Sequence, residues 1–111
     1  MTKRVLILAT DGFEQSELID PKQALEDAGF ETVVASPKSG EIKGWHEGNW
    51  GKSVPVDASL DDVEAADFDA LLLPGGQMNP DALRLEERVI ELVEDFDEAL
   101  AQWRHTHVLM V

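Results

Sequence analysis

Cysteine is absent from all 111 residues, which excludes a disulfide framework, a thiolate metal site and any thiol nucleophile within the chain. Basic residues are scarce: 9 stand against 23 acidic ones, for a formal charge of -14 and a pI near 4.3. Such a chain repels phosphate backbones and anionic lipid, so neither nucleic acid nor membrane is expected as a partner. No apolar run approaches membrane-spanning length. The first ten residues have a basic start, a brief apolar run and no small-residue cleavage site, so they read as a strand and not as a signal peptide, with the cytoplasm as the default location.

What is present suits one folded domain. Apolar residues make up 43% of the chain and fall in short periodic blocks, which argues against disorder despite the charge. The acid excess fits either a salt-adapted surface or an ordinary acidic protein. Val5 to Ala9 has the unbroken apolar pattern of a strand covered on both faces. Asp20-Pro21 looks like a helix N-cap followed by proline at the first helical position, with Ala24, Leu25 and Ala28 on one face and Gly29 as the stop. Phe30 to Ser36 is the next strand, and β-α-β with a right-handed crossover is the expectation. Glycines punctuate residues 37–58, where Glu41–Lys43 and Ser53–Asp57 are expected to pair as short strands.

A short helix is expected over Leu60 to Ala65 behind Ser59, then a strand over Ala70–Leu73 that runs into Pro74-Gly75-Gly76. From Leu85, the apolar positions Val89, Leu92, Val93, Phe96 and Leu100 form the stripe of an amphipathic helix packed on a sheet. The acids on its other face read as solvated surface. Thr106 to Val111 reads as a further parallel strand. The fold class is therefore α/β, a Rossmann- or flavodoxin-like parallel sheet with flanking helices.

In such a sheet, ligands bind outside the carboxyl ends of the strands. The acidic turn at residues 10–17 and the glycine turn at residues 74–80 both leave strands at that edge. Paired glycines let backbone N–H groups approach a ligand closely, as in an oxyanion hole, although a tight strand exit would look the same. Glu14 and Glu17 project from one face if the backbone turns helically from Gly12. There they serve either as dipole-stabilising acids or as a carboxyl group that hydrogen-bonds a nearby thiolate. His105 and His107 share a face if extended, but two imidazoles make a weak metal site, and neither a metal nor a cofactor is expected. Trp45, His46 and Trp50 could wall a pocket or form a subunit contact.

The runs Val5-Leu-Ile-Leu-Ala-Thr-Asp-Gly-Phe-Glu-Gln-Ser-Glu-Leu18, Ala35-Ser-Pro-Lys-Ser-Gly-Glu-Ile-Lys-Gly44, Ser53-Val-Pro-Val-Asp57 and Asp67-Phe-Asp-Ala-Leu-Leu-Leu-Pro-Gly-Gly76, with Pro80-Asp-Ala-Leu-Arg-Leu85 behind them, together resemble the intracellular protease I (PfpI) family. That family belongs to the ThiJ/PfpI superfamily, related to class I glutamine amidotransferases. The resemblance covers about residues 4 to 99. It implies that Glu17 hydrogen-bonds a nucleophilic cysteine, that Glu14 is a neighbouring acid, and that Gly75 and Gly76 donate to an oxyanion. It also implies that Asp81 falls near an acid that reaches into a neighbouring subunit, so a homo-oligomer is expected.

The nucleophile elbow of that family, Ala-Ile-Cys-His-Gly, has no counterpart here. Residues 1–99 read as the N-terminal part of the domain and residues 100–111 as a divergent tail, the chain having been cut before the elbow or altered by a reading-frame change near residue 100. Two functions stay open. One is a cysteine-hydrolase or stress-protein relative, acting as peptidase, glyoxalase or deglycase on a peptide or small carbonyl, with this chain inactive. The other is a non-catalytic module that self-associates or binds a partner.

Overall fold

The structure, a computed structural model, describes residues 3–75, 87–102 and 107–110. Its centre is β1 (Arg4–Leu8), whose side chains alternate between two cores. Leu6 and Leu8 enter one cluster with Leu71, Val89, Leu92 and Phe96. Val5 and Ile7 enter the other with Phe13, Leu18, Val34, Ile42 and Val54. Burial on both faces is what the unbroken apolar run required.

From β1 the chain passes through β2 (Phe13–Glu14) into α1 (Gln15–Asp27) and returns as β3 (Glu31–Ser36), parallel to β1 with Leu6 opposite Val33. Next come β4 (Glu41–His46) and β5 (Asn49–Pro55), a hairpin with Ile42 opposite Val54. After β6 (Ala58–Ser59) the chain crosses to β7 (Ala70–Leu73), on the other side of β1. Helix α2 (Glu87–Gln102) leads to β8 (His107–Met110), which pairs in parallel with β7, Leu71 facing Val108. The main sheet has the order β6-β3-β1-β7-β8, and β2-β4-β5 form a second, smaller sheet.

The expected parallel α/β architecture is therefore present, with α2 over one face of the main sheet and α1 with the small sheet over the other. Because β1 connects to β3 on one side and its other neighbour is β7, the strand order reverses there, and the carboxyl ends of β1 and β7 form the edge where sheets of this type bind ligands.

Three local expectations are corrected. Helix α1 starts at Gln15, with Glu14 as its N-cap residue, so Asp20 is no cap and Pro21 lies inside the helix. The chain can start early because Gly12 takes φ 88° and turns it sharply, after which Phe13 and Glu14 pair with Gly44 and Trp45 of β4. Pro21, having no N–H, cannot bond back to the Glu17 carbonyl.

The helix expected over Leu60 to Ala65 is two 3₁₀ turns, Leu60–Asp62 and Ala65–Asp67, split by an extended Val63. Leu60, Val63 and Phe68 all reach the core, although the segment is not one helix. Arg88 of α2 holds this segment, donating from Nε to the Leu60 carbonyl at 3.1 Å and from a terminal nitrogen to the Val63 carbonyl, with Glu64 at 3.4 Å. Finally, the expected Glu41–Lys43 and Ser53–Asp57 pairing exists but extends through Trp45 and Trp50 to a Glu47-Gly48 turn. Leu85 lies outside the described residues.

Candidate functional site

The two turns that leave β1 and β7 meet. The backbone amide of Glu14 donates to the carbonyl of Gly75 at 2.8 Å, which fastens the start of α1 to the exit of β7. The acidic turn is held from its other side as well. Gly12 donates to the Lys43 carbonyl at 2.8 Å, and Asp11 accepts from the Lys43 amide and from the Lys38 ammonium, each at 2.8 Å. Desolvation pulls the Asp11 carboxyl upward, but the bonds from Lys38 and Lys43 and their charges outweigh it and hold the group below its ordinary range.

Glu14 therefore sits at the N-cap in extended geometry, half-buried, its carboxylate accepting from the Ser16 hydroxyl at 3.4 Å. It makes no side-chain cap to its own helix. Glu17 lies in the first turn of α1, also half-buried, next to the fully buried Leu18. The expectation that the two acids share one helical face is thus corrected: the helix begins after Glu14, which belongs to β2. Both still stand beside a helix N-terminus, where negative charge is favoured.

Of the glycine pair, Gly75 is half-buried at the junction, and Gly76 lies outside the described residues, as does Asp81. His105 is also outside them. His107 opens β8 opposite Ala70, so the shared face of the two histidines is left to the sequence argument. Among the described residues no three His, Asp or Glu side chains cluster as metal ligands, and no described helix is long and apolar enough to cross a membrane. A hollow of about 300 Å³, lined by Ser36, Lys38, Val56, Asp57, Ala58 and Ser59 among others, lies at the β3–β6 edge, away from the Glu14–Gly75 junction.

Three contributors were not singled out from the sequence. Asp11 ties the acidic turn to the hairpin. Gln15 accepts from the Lys52 amide at 2.7 Å through its side-chain oxygen. Gly44 is required because a Cβ there would stand 2.9 Å from the Phe13 ring and 3.2 Å from the Lys52 carbonyl. A two-residue strand such as β2 carries no periodic signal, so only the glycines in β4 and β5 hinted that something crosses them.

The sequence pattern of the DJ-1/PfpI family matches residues 3–101. Among curated relatives, general stress protein 18 of Bacillus subtilis is 42% identical over 97 residues, 86% of this chain and 54% of its own length. A deglycase of Thermococcus kodakarensis is 42% identical over 95 residues, again 86% and 54%. Among solved structures, the VC2308 protein superposes with a TM-score of 0.84 at 25% identity, over 99% of this chain and 52% of the other. The chain spans about half the length of the curated relatives it matches.

Proposed function

This chain belongs to the DJ-1/PfpI family, and from that premise we propose that it carries the acid-bearing half of a site for nucleophilic attack on a carbonyl carbon, while the 111-residue chain by itself performs no thiol-dependent turnover. The observation that supports the reading most is the 2.8 Å bond from the Glu14 amide to the Gly75 carbonyl. It brings the acidic turn and the glycine turn to one lip of the sheet. A carbonyl oxygen gaining charge there would meet backbone donors at Gly75 and Gly76, with Glu14 and Glu17 as the neighbouring acids. Asp81 would be offered across a subunit contact.

The chemistry such a lip serves begins with a thiolate forming a bond to the carbonyl carbon while the carbonyl electron pair moves to oxygen. The substrate class is a small carbonyl compound or a peptide carbonyl. No residue of this chain supplies the sulfur. Ser16 is no substitute, since it is exposed on α1 and its hydroxyl is engaged by Glu14.

The test is an assay of the purified chain on methylglyoxal, a glycated peptide and a chromogenic peptide, with turnover expected at the buffer blank. Activity that follows the chain through a second column and vanishes in Glu17→Gln would keep the site and overturn the inactivity. Activity indifferent to that change would overturn both.

A second reading, a non-catalytic module that self-associates, is supported by β5 standing at the edge of the smaller sheet among the described residues, with Trp50 half-exposed on it, because an open strand edge is a template for pairing. Light scattering on a sizing column tests it: a dimer or larger species is expected, and a monodisperse monomer would count against it.

A further inference from the structure

The small sheet turns one face into the core through Phe13, Ile42 and Val54, each at most 5% exposed. Strand register fixes what stands on the other face. Glu14 pairs with Trp45, and Trp45 with Trp50, so these three side chains form one row across β2, β4 and β5. The irregularity between Lys43 and Trp45, where β5 carries an extra residue, puts Trp50 on this outer face and Val54 on the inner one.

The two indoles meet edge to face, with centroids 5.2 Å apart and planes at 86°, and Trp50 remains 50% exposed. At the β2 end of the row the Glu14 carboxylate is engaged by the Ser16 hydroxyl at 3.4 Å, a long contact that leaves acceptor capacity for a stronger donor. Lys43 stands in the adjacent row, opposite Ser53, with its charge acting on Asp11.

A carboxylate in one row with two aromatic rings, on a chain of net charge -14, has the chemistry of a cation site. The ring faces carry negative electrostatic potential, the carboxylate supplies a formal charge, and the acidic surface raises the local concentration of cations. We propose that the Glu14–Trp45–Trp50 row is a docking subsite for a guanidinium or ammonium side chain of a polypeptide. The subsite rests on reading the Glu14–Gly75 lip as a substrate site and supplies a recognition element for it. Trp50 lies two strand spacings from Glu14, roughly 10 Å, which is about three residues of extended chain. The docked basic residue therefore lies within about three residues of the group presented at the lip.

The test is an NMR titration of the purified chain with N-acetylarginine amide, followed at the indole N–H signals, with N-acetylcitrulline amide as the uncharged isostere. The Trp45 and Trp50 signals are expected to move with the arginine ligand, and citrulline is expected to bind at least about fivefold more weakly. Trp50→Leu should weaken arginine binding about threefold to fivefold, and Trp50→Phe should recover most of it. Glu14→Gln should weaken it about threefold, whereas Glu94→Gln, the same charge change on the exposed face of α2, should not.

Equal binding of citrulline, wild-type binding by a folded Trp50→Leu, or an equal loss in Glu94→Gln would each overturn the subsite. Indole signals that shift on dilution without ligand would assign the row to a second copy of the chain and overturn it too. Should Trp50→Leu fail to fold, the Phe and Gln variants carry the comparison. No turnover is involved, so an empty row is told apart from an inactive lip.

Discussion

Glu14 and Gly75, far apart in the chain, are joined backbone to backbone by a 2.8 Å hydrogen bond in which the amide of Glu14 donates to the carbonyl of Gly75. The relationship is independent of the glutamate side chain, and proline separates the two. Glu14 has φ -67°, which a proline ring adopts unchanged, and the extended Phe13 before it suits a following proline. Glu14→Pro should keep the local path, delete the bond and destabilise the chain by about 1–2 kcal/mol. Glu14→Gln, which keeps the amide, should stay within about 0.5 kcal/mol of the parent. Denaturant midpoints compare the two, and equal midpoints would mean that the bond does not hold the lip.

Two glycines of the hairpin look alike in sequence and should respond differently. At Gly44 an added Cβ meets the ring of fully buried Phe13 at 2.9 Å and a backbone carbonyl at 3.2 Å. Neither can move away cheaply, so Gly44→Ala should cost about 1–3 kcal/mol and loosen β2 from β4. At Gly51 the main obstacle is the Gln15 side-chain oxygen at 2.0 Å, the end of a flexible side chain, with the His46 Cβ less close at 3.3 Å. The oxygen can swing aside at the loss of its bond to the Lys52 amide, so Gly51→Ala should cost only about 1 kcal/mol. Thermal unfolding of both variants ranks them, and the reverse order would refute the packing argument.

The parts of the fold that were legible are those whose signal is local. The apolar run of β1, the strands β3 and β7, and the stripe of Val89, Leu92 and Phe96 on α2 each announce their own burial. The start of α1 was not legible, because Asp20-Pro21 imitates a cap while the real boundary is set by Gly12 and by pairing of Phe13 and Glu14 with a strand formed much later in the chain. The same holds for the site. Glu14, Glu17 and Gly75 could be placed at one sheet edge by topology, but the Trp45–Glu14 pairing and the Asp11 tether depend on long-range register that no sequence window contains.

The hairpin turn offers a stabilising change. Glu47 has φ 48° and Gly48 φ 79°, a pair of positive values that matches a type I′ turn. Asparagine tolerates the first position far better than glutamate, whose side chain gives only a 3.9 Å contact with His46 in return. Glu47→Asn should raise stability by about 0.5 kcal/mol, readable as a higher unfolding midpoint. An unchanged or lower midpoint would show that the turn is not under strain.

If the acid excess is an adaptation to salt, unfolding midpoints should climb as potassium chloride rises, because screening relieves the repulsion of a chain charged at -14. A flat or falling curve would count against that reading.

Acid should weaken the chain through Asp11 and Glu26. For Asp11, desolvation is overcome by Lys38 and Lys43, and for Glu26 the Lys22 ammonium and the Thr32 hydroxyl act together, so both folded values lie below the ordinary 3.8 and 4.5. Below those ordinary values the unfolded chain takes up protons first, so the stabilisation is complete above about pH 5 and disappears as pH falls through the lower folded values. Because the Asp11 side chain is 37% exposed, its pairing is screened, and Asp11→Asn should cost at most about 1 kcal/mol at pH 6. The difference between parent and variant should shrink steadily from pH 5 downward and vanish once the folded carboxyl is protonated, since the two side chains then carry the same charge. A gap that stays constant to pH 2.5 would mean that the Asp11 carboxylate contributes geometry alone and that its bond to Lys38 adds nothing to the hold on the acidic turn.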